Sequence, residues 1–417
     1  GRLALPLGMD TLTAMVIVHG MVVHILRKIL IKYVKYFRWL YTLYYWVGSL
    51  VVNVLKILVK PRNNLILFIS YGGRKFDDSP RQIYEGMIKD PRFEDYEFIW
   101  AFRNPNDFDI PRGKIIQVDS LKYYMIALQA RVWISNSSVQ RGLSFKGKHT
   151  FYVNTWHGTP IKKLGADMAK GNKAFGGKAK SGADIMTAQS KYEVDIISRA
   201  FGIPRERFII CGLPRNDRLA AVNHEDKRQA MERIGLPVDK KVILYAPTFR
   251  EYERDEKLNC VLAPPIDFAR WHTALGSEYV VLFRAHYEVA KFMNDSIIDG
   301  FVFDVSDYPE INDLIIASDI LISDYSSLFF DFSILDRPMF CYTYDYDEYI
   351  EKRGVYFDIR KELPGGSVSE DELLRLIITV PGDRVIERVR RFRDKYVECY
   401  GHATDALLDL IHQELSK

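Results

Sequence analysis

The sequence predicts an α/β protein built from two doubly wound, parallel-sheet domains and preceded by a helical segment that associates with membranes. Three observations carry this prediction. A chain of 417 residues accommodates two domains at about 100 to 200 residues each. Hydrophobic residues make up 48% and charged residues 27%, the usage of a chain that buries a core, which excludes disordered, collagen-like and low-complexity classes. From Pro61 onward, brief apolar runs alternate with helical stretches, the rhythm of strands buried on both faces and joined by helical crossovers. The balance of 58 Lys+Arg against 54 Asp+Glu, a net of +4, is too mild to make nucleic acid a partner. Cys211, Cys260, Cys341 and Cys399 form no CxxC pair, so neither a zinc site nor a disulfide framework is indicated, and a reducing, cytoplasmic setting fits.

Taken in order, residues 1–8 (GRLALPLG) precede Met9 and read as a cloning remnant. Residues 9–60 are expected to form amphipathic, membrane-associating helices. The first sixty residues hold eight cations and one carboxylate, Asp10, so the rest of the chain is slightly acidic. Arg27, Lys28, Lys32, Lys35 and Arg38 interrupt a run rich in Val, Ile, Leu, Tyr and Trp; a secretory signal would carry its cations ahead of the apolar stretch. Residues 39–59 reach the roughly 20 residues a bilayer span needs. Asn53, Lys56 and the aromatic start Trp39, Tyr41, Tyr44, Tyr45 and Trp46 favour a helix lying in the headgroup layer of an anionic cytoplasmic leaflet, with a true span or a buried helix pair as alternatives.

The first strand series is LILFIS (65–70), YEFIWAF (96–102), KIIQV (114–118), VWIS (132–135), FYVNTW (151–156), DIMTAQ (184–189) and RFIICG (207–212), which defines an N-terminal domain over residues 61–220. The second is VILYAP (242–247), YVVLFRAH (279–286), FVFDV (301–305), DILIS (319–323) and PMFCY (338–342), a C-terminal domain over 221–382. The junction is expected near residues 215–239, around a helix at 225–234. Residues 383–417 are helical in pattern and are expected to cross back. A loop at 161–183 carries six lysines, Lys162 and Lys163 among them, and five glycines. It is too glycine-rich for a helix and too cationic for a core, and reads either as a solvated loop or as a lid over a phosphate-bearing substrate.

Ligands of doubly wound sheets sit at the carboxyl ends of strands, which singles out four places. His157, with Gly158 and Thr159 behind it, follows FYVNTW; its imidazole could take a proton from an attacking hydroxyl, and Gly158 permits close approach. His286, preceded by Arg284, ends a strand of the second half. Asp324, Ser326 and Ser327 follow DILIS at a helix start that could hold an anion or simply be capped. Thr248 and Arg250 follow VILYAP, and a guanidinium there is a candidate phosphate clamp. No Walker loop, GxSxG elbow or HExxH spacing occurs, so no metal site and no cofactor are assigned.

NTWHGTPIKKLG (154–165), YAPTFR (245–250), FRAHY (283–287) and the long stretch from SDYSSLFFDF (323–332) to GVYFD (354–358) together resemble the CDP-glycerol glycerophosphotransferase family of teichoic acid synthesis. SYGGRKFDDSPRQIYEGM (70–87) is also similar to it, and by size the chain looks more like the primase than the long polymerase. The resemblance implies Rossmann-like domains of the glycosyltransferase-B type. It also implies a Gram-positive enzyme held peripherally at the cytoplasmic face of the cell membrane, transferring glycerol phosphate from CDP-glycerol to an undecaprenyl-diphosphate-linked disaccharide with release of CMP. It makes His157 the base and His286 a second catalytic group. Thr248, Arg250, Arg284, Asp324, Ser326 and Ser327 would lie at the donor, and Gly158, Thr159, Lys162 and Lys163 at the acceptor. GHAT at 401–404 departs from the family pattern, leaving His402 a variant nucleotide-side contact at most. Polymer extension with glycerol or ribitol phosphate, and a sugar-nucleotide glycosyltransferase, are the alternatives; a homo-oligomer is left open.

Overall fold

The protein is represented by a computed structural model that describes residues 38–168, 182–248, 250, 265–285, 298–366, 368–380 and 382–417. Two parallel sheets form its framework. The first contains β1 (Arg62–Ile69), β2 (Glu97–Phe102), β3 (Lys114–Gln117), β4 (Ala130–Ser135), β5 (Phe151–Asn154), β6 (Ile185–Ala188) and β7 (Phe208–Ile210), in the order β3-β2-β1-β4-β5-β6-β7. The second contains β8 (Lys241–Ala246), β9 (Tyr279–Phe283), β10 (Val302–Asp304), β11 (Ile320–Ser323), β12 (Met339–Tyr342) and β13 (Gly365–Gly366), in the order β10-β9-β8-β11-β12-β13. Both sheets start in the middle and wind outward twice, so each has a point where the connections reverse, β1/β4 in one and β8/β11 in the other.

Every apolar run became a strand, and most strands stop a residue or more early because the last residues turn out of the sheet into loops. Two-sided burial explains why the runs are apolar throughout. Leu65, Leu67 and Ile69 face a core with Tyr123 and Trp133, while Ile66 and Phe68 face one with Trp100, Val132, Leu407 and Ile411. Each such side chain contributes roughly 1.5–3 kcal/mol. The residues Leu407, Leu408 and Ile411 belong to the last helix, Ala403–Leu415, which packs on the first sheet, whereas Val389, Phe392 and Tyr396 of helix Gly382–Tyr396 stay in the core of the second. The edge strand β13 was not predicted. It is two glycines, and a Cβ on Gly365 would lie 2.1 Å from the Cys341 carbonyl oxygen.

Helix Arg38–Leu58 is long and apolar enough to cross a membrane. Asn53 and Lys56, which the sequence reading took as favouring the headgroup layer, bond to the protein itself. Asn53 Nδ2 donates to the Ser144 carbonyl at 2.8 Å, Lys56 bonds Asn53 and the Lys146 carbonyl, and Val52 is buried near Leu143 and Phe145. These groups dock the helix on the first sheet's flank. The opposite face presents Trp39, Leu43, Trp46, Leu50, Val54 and Ile57, the last 82% exposed. Residues 9–37, with Lys28, Lys32 and Lys35, lie outside the described residues.

Candidate active site

A cleft of about 560 Å³ runs between the two reversal points. Its first wall carries Tyr71, Asp77, Asp78 and His157; its second carries Thr248, Arg284, Ser306, Ser326 and Ser327. His157 follows β5 after Trp156, whose φ of 51° turns the chain through the left-handed region. His157 Nδ1 lies 2.9 Å from the carbonyl oxygen of Asn136. A carbonyl only accepts, so Nδ1 carries the hydrogen of the neutral ring and Nε2 keeps its lone pair. The residue is exposed on the cleft, with the Trp156 ring 4.2 Å away between centroids and tilted by 32°. Desolvation pushes its pKa below the ordinary 6.5, against the Asn136 bond and Asp78, which favour the cation, and with the Arg215 guanidinium, which opposes it. The ring is therefore neutral at pH 7, with a lone pair on Nε2.

Gly158, at φ +146°, brings the two walls together. A Cβ there would sit 2.8 Å from Ser327 Oγ, so the histidine loop and the serine pair meet only because this residue has none. Ser327 begins the short helix Leu328–Ser333 without a side-chain capping bond, and Ser326 Oγ accepts from Leu328 N at 3.2 Å. Six residues make a weak dipole, and the N–H groups of Leu328, Phe329 and Phe330 already bond Ser326 Oγ and the Ser326 and Ser327 carbonyls, so what this tip offers an anion is chiefly two hydroxyls.

Several expected contacts are elsewhere. Arg250 does not line the cleft; it is 1% exposed, bonded through Nε and Nη2 to Asp345 and through Nη1 to Asp324 at 2.9 Å, among the rings of Tyr325, Tyr344 and Tyr349. Its charge is already neutralised, so the reading as a direct phosphate clamp is corrected to an internal brace. Asp324 is likewise buried and accepts from Arg250 and from Thr248 N and Oγ1, which leaves Thr248 as the part of that group reaching the cleft. Arg284 does line it, its Nη1 donating to the Val305 and Tyr308 carbonyls. Thr159 is fully buried, bonded to Glu193 and Gln189, and positions the loop instead of touching an acceptor. Lys162 pairs with Val355, and Lys163 N donates to the Gly354 carbonyl; both stitch the loop base to the second sheet's side and are not in the cleft lining. His402 precedes the last helix, also away from that lining. His286 and residues 169–181 lie outside the described residues.

Sequence reasoning missed the group at the cleft floor. Arg215, 8% exposed, donates through Nη1 to Asp78 at 3.0 Å and to the His157 carbonyl at 2.9 Å, and through Nη2 to Asp331 at 2.8 Å. It thus ties β1's loop, the histidine loop and the helix after β11 to one another. Tyr71, at φ 47°, hydrogen-bonds Asp78, at φ 66°. Asp331 gave the one legible signal, a carboxylate among phenylalanines in LFFDFS, since a buried charge demands a partner.

Comparison with known proteins places the whole chain. The family described as CDP-Glycerol:Poly(glycerophosphate) glycerophosphotransferase matches residues 52–413. A teichoic acid poly(glycerol phosphate) polymerase of Bacillus spizizenii is 34% identical over 93% of this chain and 99% of its own length. A polymerase of the same description from Staphylococcus epidermidis is 35% identical over 86% of this chain, which spans about half of it, 52%. Among solved structures, a variant of the wall teichoic acid polymerase TagF superposes with a TM-score of 0.78 at 31% identity, covering 91% of this chain and 98% of that one. The chain belongs to the CDP-glycerol:poly(glycerophosphate) glycerophosphotransferase family.

Proposed function

We propose that the protein transfers glycerol phosphate from CDP-glycerol to a hydroxyl of an undecaprenyl-diphosphate-linked acceptor, at the cytoplasmic face of the membrane. The observation that carries this reading is the apposition of a neutral His157, its Nε2 lone pair free, to the Ser326/Ser327 tip across a single cleft. The acceptor oxygen attacks the phosphorus bearing glycerol and its proton passes to His157 Nε2. The bond from that phosphorus to the bridging oxygen breaks, and CMP leaves with the oxygen. Ser326, Ser327, Thr248 and Arg284 meet the charge that gathers on the diphosphate, with His286, two residues beyond Arg284, as the further group there. A soaked TagF structure is described as containing CDPG, which supports a CDP-glycerol donor in this fold. The outward apolar face of helix Arg38–Leu58 supports attachment in the interface, where a lipid acceptor is concentrated.

Addition of one primer unit to a disaccharide acceptor is the reading that size suggested. Polymer extension is the second reading, supported by the polymerase relative matched across 99% of its length. The test is a purified-enzyme assay with labelled CDP-glycerol and lipid-linked disaccharide. CMP release matched by one or more glycerol phosphates per lipid supports transfer, and the count separates priming from extension. CMP release without lipid labelling, or transfer only from UDP-sugars, would refute it.

A further inference from the structure

Lys162 and Lys163 lie outside the cleft lining, but a second cationic feature sits beside β1. The chain leaving β1 turns at Gly72 (φ +63°) and Gly73 (φ +82°), and three guanidiniums gather on that turn. Arg103 Nε donates to the Gly72 carbonyl at 3.2 Å and Arg74 Nε to the Tyr71 carbonyl at 2.9 Å. Arg141 Nη1 comes so near Gly72 that a Cβ there would lie 2.7 Å from it, with Arg103 Nη2 at 3.9 Å. Arg141 is held by Asp119 at 3.0 Å, which neutralises one of the three charges. Arg74 and Arg103 are exposed; partial desolvation of Arg103, with the neighbouring Arg74 and Arg141 charges added to it, lowers its pKa. Like charges at this spacing are unfavourable by themselves and become favourable when an anion sits among them.

The position of the cluster narrows the anion. On one side Tyr71 lines the cleft with its ring 5.9 Å from that of His157, and Lys75 extends the cationic edge inward. On the other side Tyr44 of the outward-facing apolar helix donates to the Arg141 carbonyl at 3.1 Å. The arginines therefore lie between the surface that meets lipid and the residue that accepts the proton. We infer that Arg74, Arg103 and Arg141 form a binding site for the diphosphate of a prenyl-diphosphate-linked acceptor, holding it at the cleft mouth while its sugar reaches His157. This rests on the lipid-acceptor reading above and adds a named site to it.

Farnesyl diphosphate titrated against the full chain tests the site without turnover. Wild type should bind it more tightly than inorganic phosphate, and Arg74→Gln/Arg103→Gln, both exposed and remote from the core, should weaken it by about tenfold or more. Arg103→Lys should retain part of the affinity. Equal binding by wild type and the double variant would overturn the inference, as would a loss seen instead in Ser326→Ala/Ser327→Ala, which would place the probe at the donor tip. So would an equal loss of binding to phosphatidylglycerol vesicles, which would make the arginines a general lipid contact. Transfer to the lipid-linked disaccharide, measured in wild type alone, reports separately on the underlying reading.

Discussion

The two walls of the cleft are built differently. The first holds three non-glycine residues in the left-handed region, Tyr71 at φ 47°, Asp78 at 66° and Trp156 at 51°, each costing on the order of 1–3 kcal/mol. It also holds Asp77, Asp78 and His157. On the second wall none of Thr248, Arg284, Ser326 or Ser327 is in that region, and the charges behind it, Arg250 with Asp324 and Asp345, satisfy one another internally. Left-handed strain thus belongs to the wall that carries His157, while the wall with Ser326 and Ser327 offers unstrained hydroxyls and the Arg284 guanidinium. Arg215 is the member the walls share.

Removing the proton acceptor breaks the comparison most severely. His157→Ala should lower kcat by about 10² to 10⁴-fold with little change in the KM for CDP-glycerol, read from initial rates of CMP release. Arg215→Met should come next: it strands two buried carboxylates, and loss of one partner of such a group costs about 3–5 kcal/mol, read as a lowered denaturation midpoint together with lost activity. Ser326→Ala/Ser327→Ala should raise the KM for CDP-glycerol by about tenfold, one to two hydrogen bonds to a charged oxygen, while leaving the pH dependence of kcat/KM unchanged. A shift in that dependence would show that the walls are not separate in function.

The smallest effect lies beneath the first wall. Glu193 is fully buried, its Oε2 accepts from Thr159 and Gln189 N, and burial raises its pKa to about 7. The native state therefore holds a proton that the unfolded chain releases above the ordinary value near 4.5, so this group's contribution to stability falls as pH rises from about 4.5 to 7. Glu193→Gln should flatten that slope in denaturation curves at several pH values.

Much of this was legible in the sequence. Twelve apolar runs located twelve strands because a parallel sheet buried on both faces leaves no polar alternation to misread. His157 and the serine pair, singled out because they follow strands, line one cleft. What the sequence could not convey was which polar groups spend their charge on each other. Arg250 looked like a clamp until its two carboxylates, 74 and 95 residues away, were in place. Arg215 looked like part of a linker because Asp78 and Asp331 lie 137 and 116 residues from it. Asn53 and Lys56 likewise bond carbonyls at 144 and 146, contacts invisible to periodicity.

The central claim is the state of one imidazole, and ¹⁵N NMR of histidine-labelled protein, with His157→Gln to assign the resonance, tests it directly. The account predicts a hydrogen on Nδ1, an unprotonated Nε2 at pH 7 and a titration midpoint below 6.5. A ring protonated on Nε2, or one still cationic at pH 7, would contradict it.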